Sequence, residues 1–213
     1  MSWFLSHLDD VGSLLLVHAY LAGVPLLIGL ILALPLGWLA RRFPVLYAPL
    51  IAGTGLLYTI PSLALFILMP LVIGTGILDP INVIVALTIY TVALLVRTVA
   101  DGLGAVPEQV LQAATAMGIG RVRRFFTVEL PLAVPVISAG LRVAAVSNVS
   151  IVSVAALLGI SQLGSLFTDG FARDFLDPII VGIVASIALA VLFDVVILGL
   201  GRAATPWLRG RTA

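Results

Sequence analysis

The run VGSLLLVHAYLAGVPLLIGLILALPLGWLA occupies residues 11–40, between the acidic pair Asp9-Asp10 and the basic pair Arg41-Arg42. It contains no Asp, Glu, Lys or Arg. A helix of about 20 apolar residues crosses the ~30 Å hydrocarbon core of a bilayer. The run is too long for the core of a signal peptide, which would also follow a basic rather than an acidic segment. It therefore predicts a retained transmembrane helix.

The composition of the whole chain agrees with this reading. Of its 213 residues, 62% are hydrophobic and 10% are charged, whereas a soluble domain has about 25% charged residues. The mean hydropathy is +1.25. The chain has no cysteine and no lysine, which excludes disulfides, thiolate metal sites and the P-loop motif that ends in Gly-Lys-Ser/Thr. We therefore predict no ATPase site, no catalytic residue and no metal site in this chain.

Four more apolar runs follow the first one along the chain. They cover about residues 47–73, 80–97, 132–158 and 178–201, and Pro61 and Pro70 predict a kink or a break in the first of these four. Five spans place nine of the eleven arginines on one side of the membrane. Because such a bias marks the cytoplasmic side, the N-terminus is predicted outside and the C-terminus inside. The sequence thus predicts an all-α integral membrane protein with a single domain over residues 1–213.

The loop between the third and fourth spans, about residues 101–131, contains a spaced pattern. Gln112-Ala113-Ala114 is followed after three residues by Gly118, and nine further residues precede the segment 128–131, Val-Glu-Leu-Pro. Pro107 and Glu108 favour the start of a helix, and Gly118 favours its end. We therefore predict a short cytoplasmic helix over about residues 108–119.

The apolar residues of this short helix recur at the spacing i, i+3, i+4 and i+7, which places them on one side. They are Val110, Leu111, Ala114 and Met117. A helix of this length cannot cross a membrane. It either lies on the membrane surface or docks its apolar side into a groove of a partner protein.

The pattern in the loop resembles the cytoplasmic signature of the permease subunits of ABC importers. That signature is Glu-Ala-Ala, three residues, Gly, nine residues, Ile, any residue and Leu-Pro. Every spacing fits, while Gln112 replaces the glutamate without its charge and Val128 replaces the isoleucine. The resemblance implies a set of residues that couple the chain to a separate ATPase. They are Glu108, Gln112, Ala113, Ala114, Met117, Gly118 and Arg121.

Three further segments resemble the branch of this family that imports glycine betaine, carnitine and choline. They are residues 58–66, residues 86–97 and residues 129–142. The resemblance implies ABC ATPase subunits that hold ATP and magnesium, a second identical or homologous permease, and an extracytoplasmic binding protein. It also implies a multi-pass protein of the bacterial cell membrane, with the lipid bilayer and no nucleic acid among its partners.

Two alternative functions remain open from the sequence. One is an ABC permease for another small solute, such as an amino acid. The other is an ion-coupled secondary transporter that uses Asp194, but such transporters are typically built from inverted repeats, and the sequence contains no evident one.

Polar residues inside the predicted spans are candidates for the solute path. Tyr58, Thr59 and Ser62 surround Pro61, where an irregular backbone is tolerated beside a water-filled cavity. Asn148 and Ser150 lie in the fourth span, where the alternative to a polar lining is close helix packing through small residues. His18 stands alone in the first span and is interpreted as a hydrogen bond between helices rather than as a metal ligand.

Arg142 and Asp194 are predicted to form a structural ion pair inside the membrane. If the fourth span begins near Val134, Arg142 lies eight residues from the cytoplasmic face, a depth of about 12 Å. Asp194 lies six residues before the end of the fifth span near Leu200, a depth of about 9 Å. An intramembrane charge is expected to pair with a charge of opposite sign, and these two depths bring the side chains within reach of each other.

Overall fold

The computed structural model of the protein describes residues 2–211, with side chains described from Trp3 to Leu208. This part of the chain is helical and contains no strand, which confirms the predicted all-α class. The α-helices are α1 (Ser2–Ser6), α2 (Leu8–Arg42), α3 (Pro44–Tyr58), α4 (Ser62–Ile73), α5 (Pro80–Gly104), α6 (Glu108–Ala116), α7 (Arg121–Arg124), α8 (Leu130–Val152), α9 (Ser165–Ala172) and α10 (Leu176–Ala204). A π-helical turn, Phe125–Glu129, joins α7 to α8, and 3-10 helices cover Ser153–Leu158 and Pro206–Arg211.

Within the described residues, four helical stretches are long and apolar enough to cross a membrane: α2, α5, Arg121–Leu158 and α10. The pair α3 and α4 meets the same test together but is bent by 103°. The bend falls at Pro61, because a proline disfavours helical backbone in the residue before it. Pro70 lies inside α4 without ending it. The predicted interruption of the second span therefore occurs at Pro61 alone.

Contacts at the ends of the helices establish that α3 and α4 together cross the bundle. The Nε of Arg41, at the end of α2, lies 3.6 Å from the place where a Cβ on Gly104 would be, at the end of α5. The hydroxyl of Tyr47 donates to Oδ1 of Asp101 at 3.3 Å. Because α2 and α5 end at the same side, the segment between them must return the chain to the opposite side. The bundle therefore has five crossings, while its orientation in the membrane stays a prediction.

The helix α5 is longer than the apolar run that predicts it. It begins as expected, since Oδ1 of Asp79 accepts a hydrogen bond from the backbone N–H of Ile81 at 3.0 Å and Pro80 occupies the first turn. It continues past the predicted end at Arg97 to Gly104. Charged residues end an apolar run but not a helix, and Arg97 pairs with Asp101 one turn later at 3.6 Å.

The helix α5 lies in the middle of the bundle. Of its most apolar 18 residues, 61% are buried, whereas the corresponding share in α10 is 11%. It packs closely on its neighbours through glycines. A Cβ on Gly29 of α2 would lie 2.4 Å from Cγ2 of Thr91, and a Cβ on Gly140 of α8 would lie 2.4 Å from Cγ2 of Thr98. Small residues let membrane helices approach closely where lipid provides no hydrophobic driving force. These contacts fix α2 and α8 against α5.

Candidate coupling surface and solute path

The short helix α6 occupies the loop in which the sequence predicts it. Pro107 is extended, with ψ 133°, and Glu108 lies in the first turn of the helix. The helix ends at Ala116 rather than at residue 119, because Gly118 adopts a left-handed conformation with φ +78°. The backbone N–H of Ile119 then donates to the carbonyl of Ala114 at 3.1 Å. This closure gives α6 a fixed end.

One arginine fixes α6 to the segment that follows it. The Nη1 of Arg124 donates to Oγ1 of Thr115 at 2.8 Å, and its Nε donates to Oε1 of Glu129 at 2.8 Å. The helix α6 contacts α7 and the π-helical turn, and its Ala114 is buried, with 2% of its surface exposed. Arg124 and Glu129 are not among the predicted coupling residues. An opposite-charge pair five residues apart, inside the signature, is the signal that could have identified them.

Most of the predicted coupling residues face away from the chain itself. Gln112 and Ala113 are exposed. Val110 and Met117 belong to the predicted apolar side, but they are 37% and 72% exposed. Only part of the predicted apolar side therefore packs on this chain. Of its four residues, Ala114 is buried and Leu111 is half-buried.

Among the described residues, the polar groups of the coupling set find no partner on this chain. Glu108, Gln112 and Arg121 make no side-chain hydrogen bond or ion pair within residues 2–211. The surface of α6 thus combines exposed apolar side chains with unpaired polar ones, which suits a helix that inserts into a groove of another protein.

The break between α3 and α4 brings three of the predicted path residues together. Tyr58 and Thr59 are exposed and Ser62 is half-buried. The ring of Tyr58 meets the ring of Tyr90 edge to face, with centroids 5.6 Å apart. The hydroxyl of Tyr90 donates to the carbonyl of Ile60, so the backbone group that the break frees has a partner. Tyr90 was not predicted, because nothing in the sequence relates it to Pro61.

The other two predicted path residues, both on α8, differ in exposure. Ser150 is exposed. Asn148 is 2% exposed, and its Nδ2 donates to Oγ1 of Thr91 at 3.0 Å and to the carbonyl of Ala22 at 3.2 Å. Asn148 therefore joins α8 to α5 and α2 and does not face an open path in this structure. The burial and hydrogen bonds of Asn148 favour close helix packing over a polar lining, and its place in the solute path stays a prediction.

His18 is fully buried and joins distant parts of the chain. Its Nδ1 lies 2.9 Å from Oε1 of Gln162, and its Nε2 lies 2.9 Å from the carbonyl of Val149. Gln162 is itself buried, and its amide nitrogen donates to the carbonyl of Val152 at 3.0 Å. The interpretation of His18 as a hydrogen bond between helices is confirmed. No group of three His, Asp or Glu side chains within residues 2–211 could hold a metal ion.

The contact predicted between Arg142 and Asp194 is present. The Nε of Arg142 donates to Oδ1 of Asp194 at 2.6 Å, and its Nη2 donates to Oδ2 at 2.8 Å. Two parallel hydrogen bonds fix the relative orientation of a guanidinium and a carboxylate. The side chains are 36% and 30% exposed, so the pair lies at the edge of the contact between α8 and α10.

This chain resembles known membrane components of transport systems. A family described as "Binding-protein-dependent transport system inner membrane component" matches residues 26–206. The osmoprotectant import permease protein OsmW of Salmonella typhimurium is 34% identical over 193 residues, which cover 88% of this chain and 89% of OsmW. The choline transport system permease protein OpuBD of Bacillus subtilis is 32% identical over 206 residues, which cover 96% of this chain and 88% of OpuBD.

Solved structures share the fold. A chain of the MetNI methionine ABC transporter, in inward facing conformations, superposes with a TM-score of 0.82 at 20% identity over 92% of this chain and 96% of that one. A chain of an amino acid ABC transporter superposes with a TM-score of 0.70 at 16% identity, over 94% of this chain and 98% of that one. The family match covers most of the chain. The chain therefore belongs to the family of inner membrane components of binding-protein-dependent transport systems and is a permease subunit of the cell membrane.

Proposed function

We propose that this chain is the permease subunit of an ATP-driven importer for quaternary-ammonium osmoprotectants, namely glycine betaine, carnitine and choline. Coupling to an ATPase is supported by the structure of α6. Arg124 holds this helix to its own chain by a hydrogen bond to Thr115, while Gln112, Val110 and Met117 stay exposed. Such a helix is rigid enough to transmit a movement and has a free surface for the ATPase groove.

The substrate half of the proposal is supported by the names of the relatives. OsmW is an osmoprotectant permease and OpuBD is a choline permease, and both align with most of this chain. The structures that share the fold at 20% identity or less belong to methionine and amino acid transporters. Because fold similarity at that identity carries no substrate information, the osmoprotectant class is the better supported one.

The connections of α8 suggest how a movement of the ATPase would reach the solute path. The segment from Arg121 to Leu158 is one continuous helical stretch, and its first turns hold α6 through Arg124. Further along, it is tied to α10 by Arg142 and Asp194. It is tied to α2 by the contact of His18 with Val149. Displacement of α6 would therefore tilt α8 together with α10 and α2.

We assign the remaining components of the transporter to other chains. ATP and magnesium are held by two ATPase subunits, since this chain has no lysine and so no P-loop. A second permease, identical or homologous, completes the path, and an extracytoplasmic binding protein delivers the solute. The exposed residues Tyr58, Thr59 and Ser150 are the candidates for the wall of the path in this subunit.

The test is reconstitution of this chain with its ATPase and binding protein in proteoliposomes. We expect choline, glycine betaine or carnitine to stimulate ATP hydrolysis and to accumulate only when ATP is supplied. Methionine and histidine serve as the comparison solutes. Stimulation by amino acids alone would contradict the substrate class. Uptake that follows a proton gradient without ATP would contradict the whole proposal.

A further inference from the structure

A cavity of about 750 Å³ opens at the end of the bundle that carries α6. Its walls come from the last turns of α2, the loop after α6, α7, the π-helical turn and the first residue of α8. No function proposed above places a ligand in this cavity, although Arg121 in its lining also belongs to the predicted coupling residues. π-helical turns are rare and frequently occur at functional sites.

The rim of the cavity carries uncompensated positive charge. Arg42, Arg121 and Arg124 line it together with one acid, Glu129. Glu129 is occupied by Arg124 at 2.8 Å. Arg42 and Arg121 are exposed and have no carboxylate within ion-pair distance among residues 2–211. The guanidinium carbon of Arg42 lies 5.7 Å from the ring centroid of Phe43, a contact that does not neutralise its charge, so two cationic groups are available to an anionic ligand.

The wall below the rim is apolar and aromatic. Trp38 meets Phe125 edge to face at 6.3 Å, and Phe125 meets Phe126 at 5.0 Å. Aromatic side chains of this kind are enriched at the level of the lipid headgroups. Leu34 also lines the wall, eight residues before Arg42 on the same helix, which places it about 12 Å deeper along the axis. The cavity thus extends from the arginines of the rim along about 12 Å of α2, as expected of a site that reaches from headgroup level toward the hydrocarbon region.

We propose that this cavity binds an anionic phospholipid, with its phosphate between Arg42 and Arg121 and an acyl chain along Leu34, Pro35 and Trp38. Basic pockets between transmembrane helices on the cytoplasmic side suit such headgroups. A free phosphate or a nucleotide would leave the apolar wall unused. An ATPase that contacts α6 would not fill the part of the cavity beside Leu34. The choice of the cytoplasmic leaflet rests on the orientation in the proposed function.

The position of the lipid has a mechanical consequence. The cavity wall includes Phe125, Phe126 and Glu129 of the π-helical turn, which connects the α6–α7 segment to α8. A lipid in the cavity packs the aromatic side of this turn, while Arg124 holds its polar side. The bound lipid therefore stiffens the connection through which a displacement of α6 reaches α8.

The chain offers two matched pairs of arginines for the test. Arg42 lines the cavity and its neighbour Arg41 does not; Arg121 lines it and Arg123 does not, although all four are exposed. The full chain, purified in mild detergent, is titrated with phosphatidylglycerol or with phosphatidylcholine of the same acyl chains and followed by native mass spectrometry. We expect a preference for phosphatidylglycerol. Arg42→Gln or Arg121→Gln should weaken its binding about fivefold, and Arg41→Gln or Arg123→Gln less than about twofold.

Several outcomes would overturn the proposal. Equal binding of the two lipids, or equal losses from both members of each arginine pair, would leave only general surface attraction. Displacement of the lipid by millimolar inorganic phosphate would identify a soluble anion as the ligand. Displacement by the ATPase would assign the cavity to that interface.

A charge-retaining variant keeps the test decisive if the neutral one fails to fold. Arg42→Lys should retain the preference for phosphatidylglycerol, and its loss in a folded Arg42→Lys protein would count against a charge-based site. The readout does not depend on transport. Absence of lipid selectivity in a protein that still transports osmoprotectants would overturn the lipid site and leave the proposed function standing.

Discussion

His18 combines complete burial with two polar contacts to parts of the chain that are far apart in sequence. Its contacts with Gln162 and with the carbonyl of Val149 join α2 to α8 and to the loop after it. Burial of a histidine in a span is recognisable from the sequence. Its partner Gln162 is not, because the two are 144 residues apart and no periodicity links them.

We expect His18→Ala to destabilise the protein, because it leaves Gln162 and Val149 with buried groups that lose a partner. An unsatisfied buried group costs about 1–3 kcal/mol. The thermal unfolding of the purified chain in detergent measures this loss. His7→Ala is the control, since His7 is half-buried and, among the described residues, its side chain hydrogen-bonds only with the nearby Ser6 and Trp3. Equal effects of the two substitutions would mean that the His18 contacts contribute nothing specific.

The pair of Arg142 and Asp194 was predictable from depth alone, because each residue stands as a lone charge in its span. We expect Arg142→Ala and Asp194→Ala to be non-additive in thermal stability, since residues in direct contact normally couple. The double variant should therefore lose less than the two single losses together. Additive losses would show that each side chain acts independently of the hydrogen bonds between them.

Gln112 tests whether charge matters on the coupling helix. The residue is exposed and has no partner among the described residues, so a substitution there acts on the partner and not on the fold. We expect Gln112→Glu to leave substrate-stimulated ATP hydrolysis nearly unchanged, because the natural residue at this position is already neutral and exposed. A loss above about tenfold, equivalent to about 1.4 kcal/mol, would assign a role to charge.

At the scale of elements, hydrophobic runs located the crossings but not their ends. The helix α5 outlasts its apolar run to Gly104 because Arg97 and Asp101 are compatible with a helix surface. In the opposite direction, α6 stops at Ala116, before its predicted end, because Gly118 takes positive φ. The first difference reflects the distinction between hydropathy and helix propensity. The earlier end of α6 reflects a left-handed backbone conformation. A glycine allows this conformation, but its presence in a sequence does not by itself predict it.

The two glycines after α6 form a matched pair for testing that end. Neither would bring a Cβ within 4 Å of another residue, but Gly118 has φ +78° while Gly120 has φ −62°. Gly118→Ala should strain the backbone by about 1–2 kcal/mol and shift α6 relative to Arg124. We expect substrate-stimulated ATP hydrolysis to fall severalfold in Gly118→Ala and to be unchanged in Gly120→Ala. Identical activities would show that the fixed end of α6 is dispensable for coupling.

At the scale of the whole molecule, the bundle fixes which ends lie together. Arg42 and Arg121 line one cavity, and Arg41 lies beside Gly104, so the basic end of α2, the C-terminal end of α5 and the basic helix α7 share one side. The sequence predicted this grouping from the arginine bias. The packing that produces it, through Gly29 against Thr91 and Gly140 against Thr98, was not predictable because any of several small residues could have formed the close contact.

The remaining whole-molecule prediction is that this basic side faces the cytoplasm. Positively charged residues in short loops are retained on the cytoplasmic side, and five crossings then place residue 76 outside and residue 120 inside. The absence of cysteine makes a labelling test clean, and both Gly76 and Gly120 have open space for a side chain. We expect an impermeant maleimide to label Gly76→Cys in intact cells and Gly120→Cys only after permeabilisation. The reverse pattern would invert the bundle and separate α6 from any cytoplasmic ATPase. Labelling of both positions from one side would instead contradict a crossing by α5, the most deeply buried of the spans.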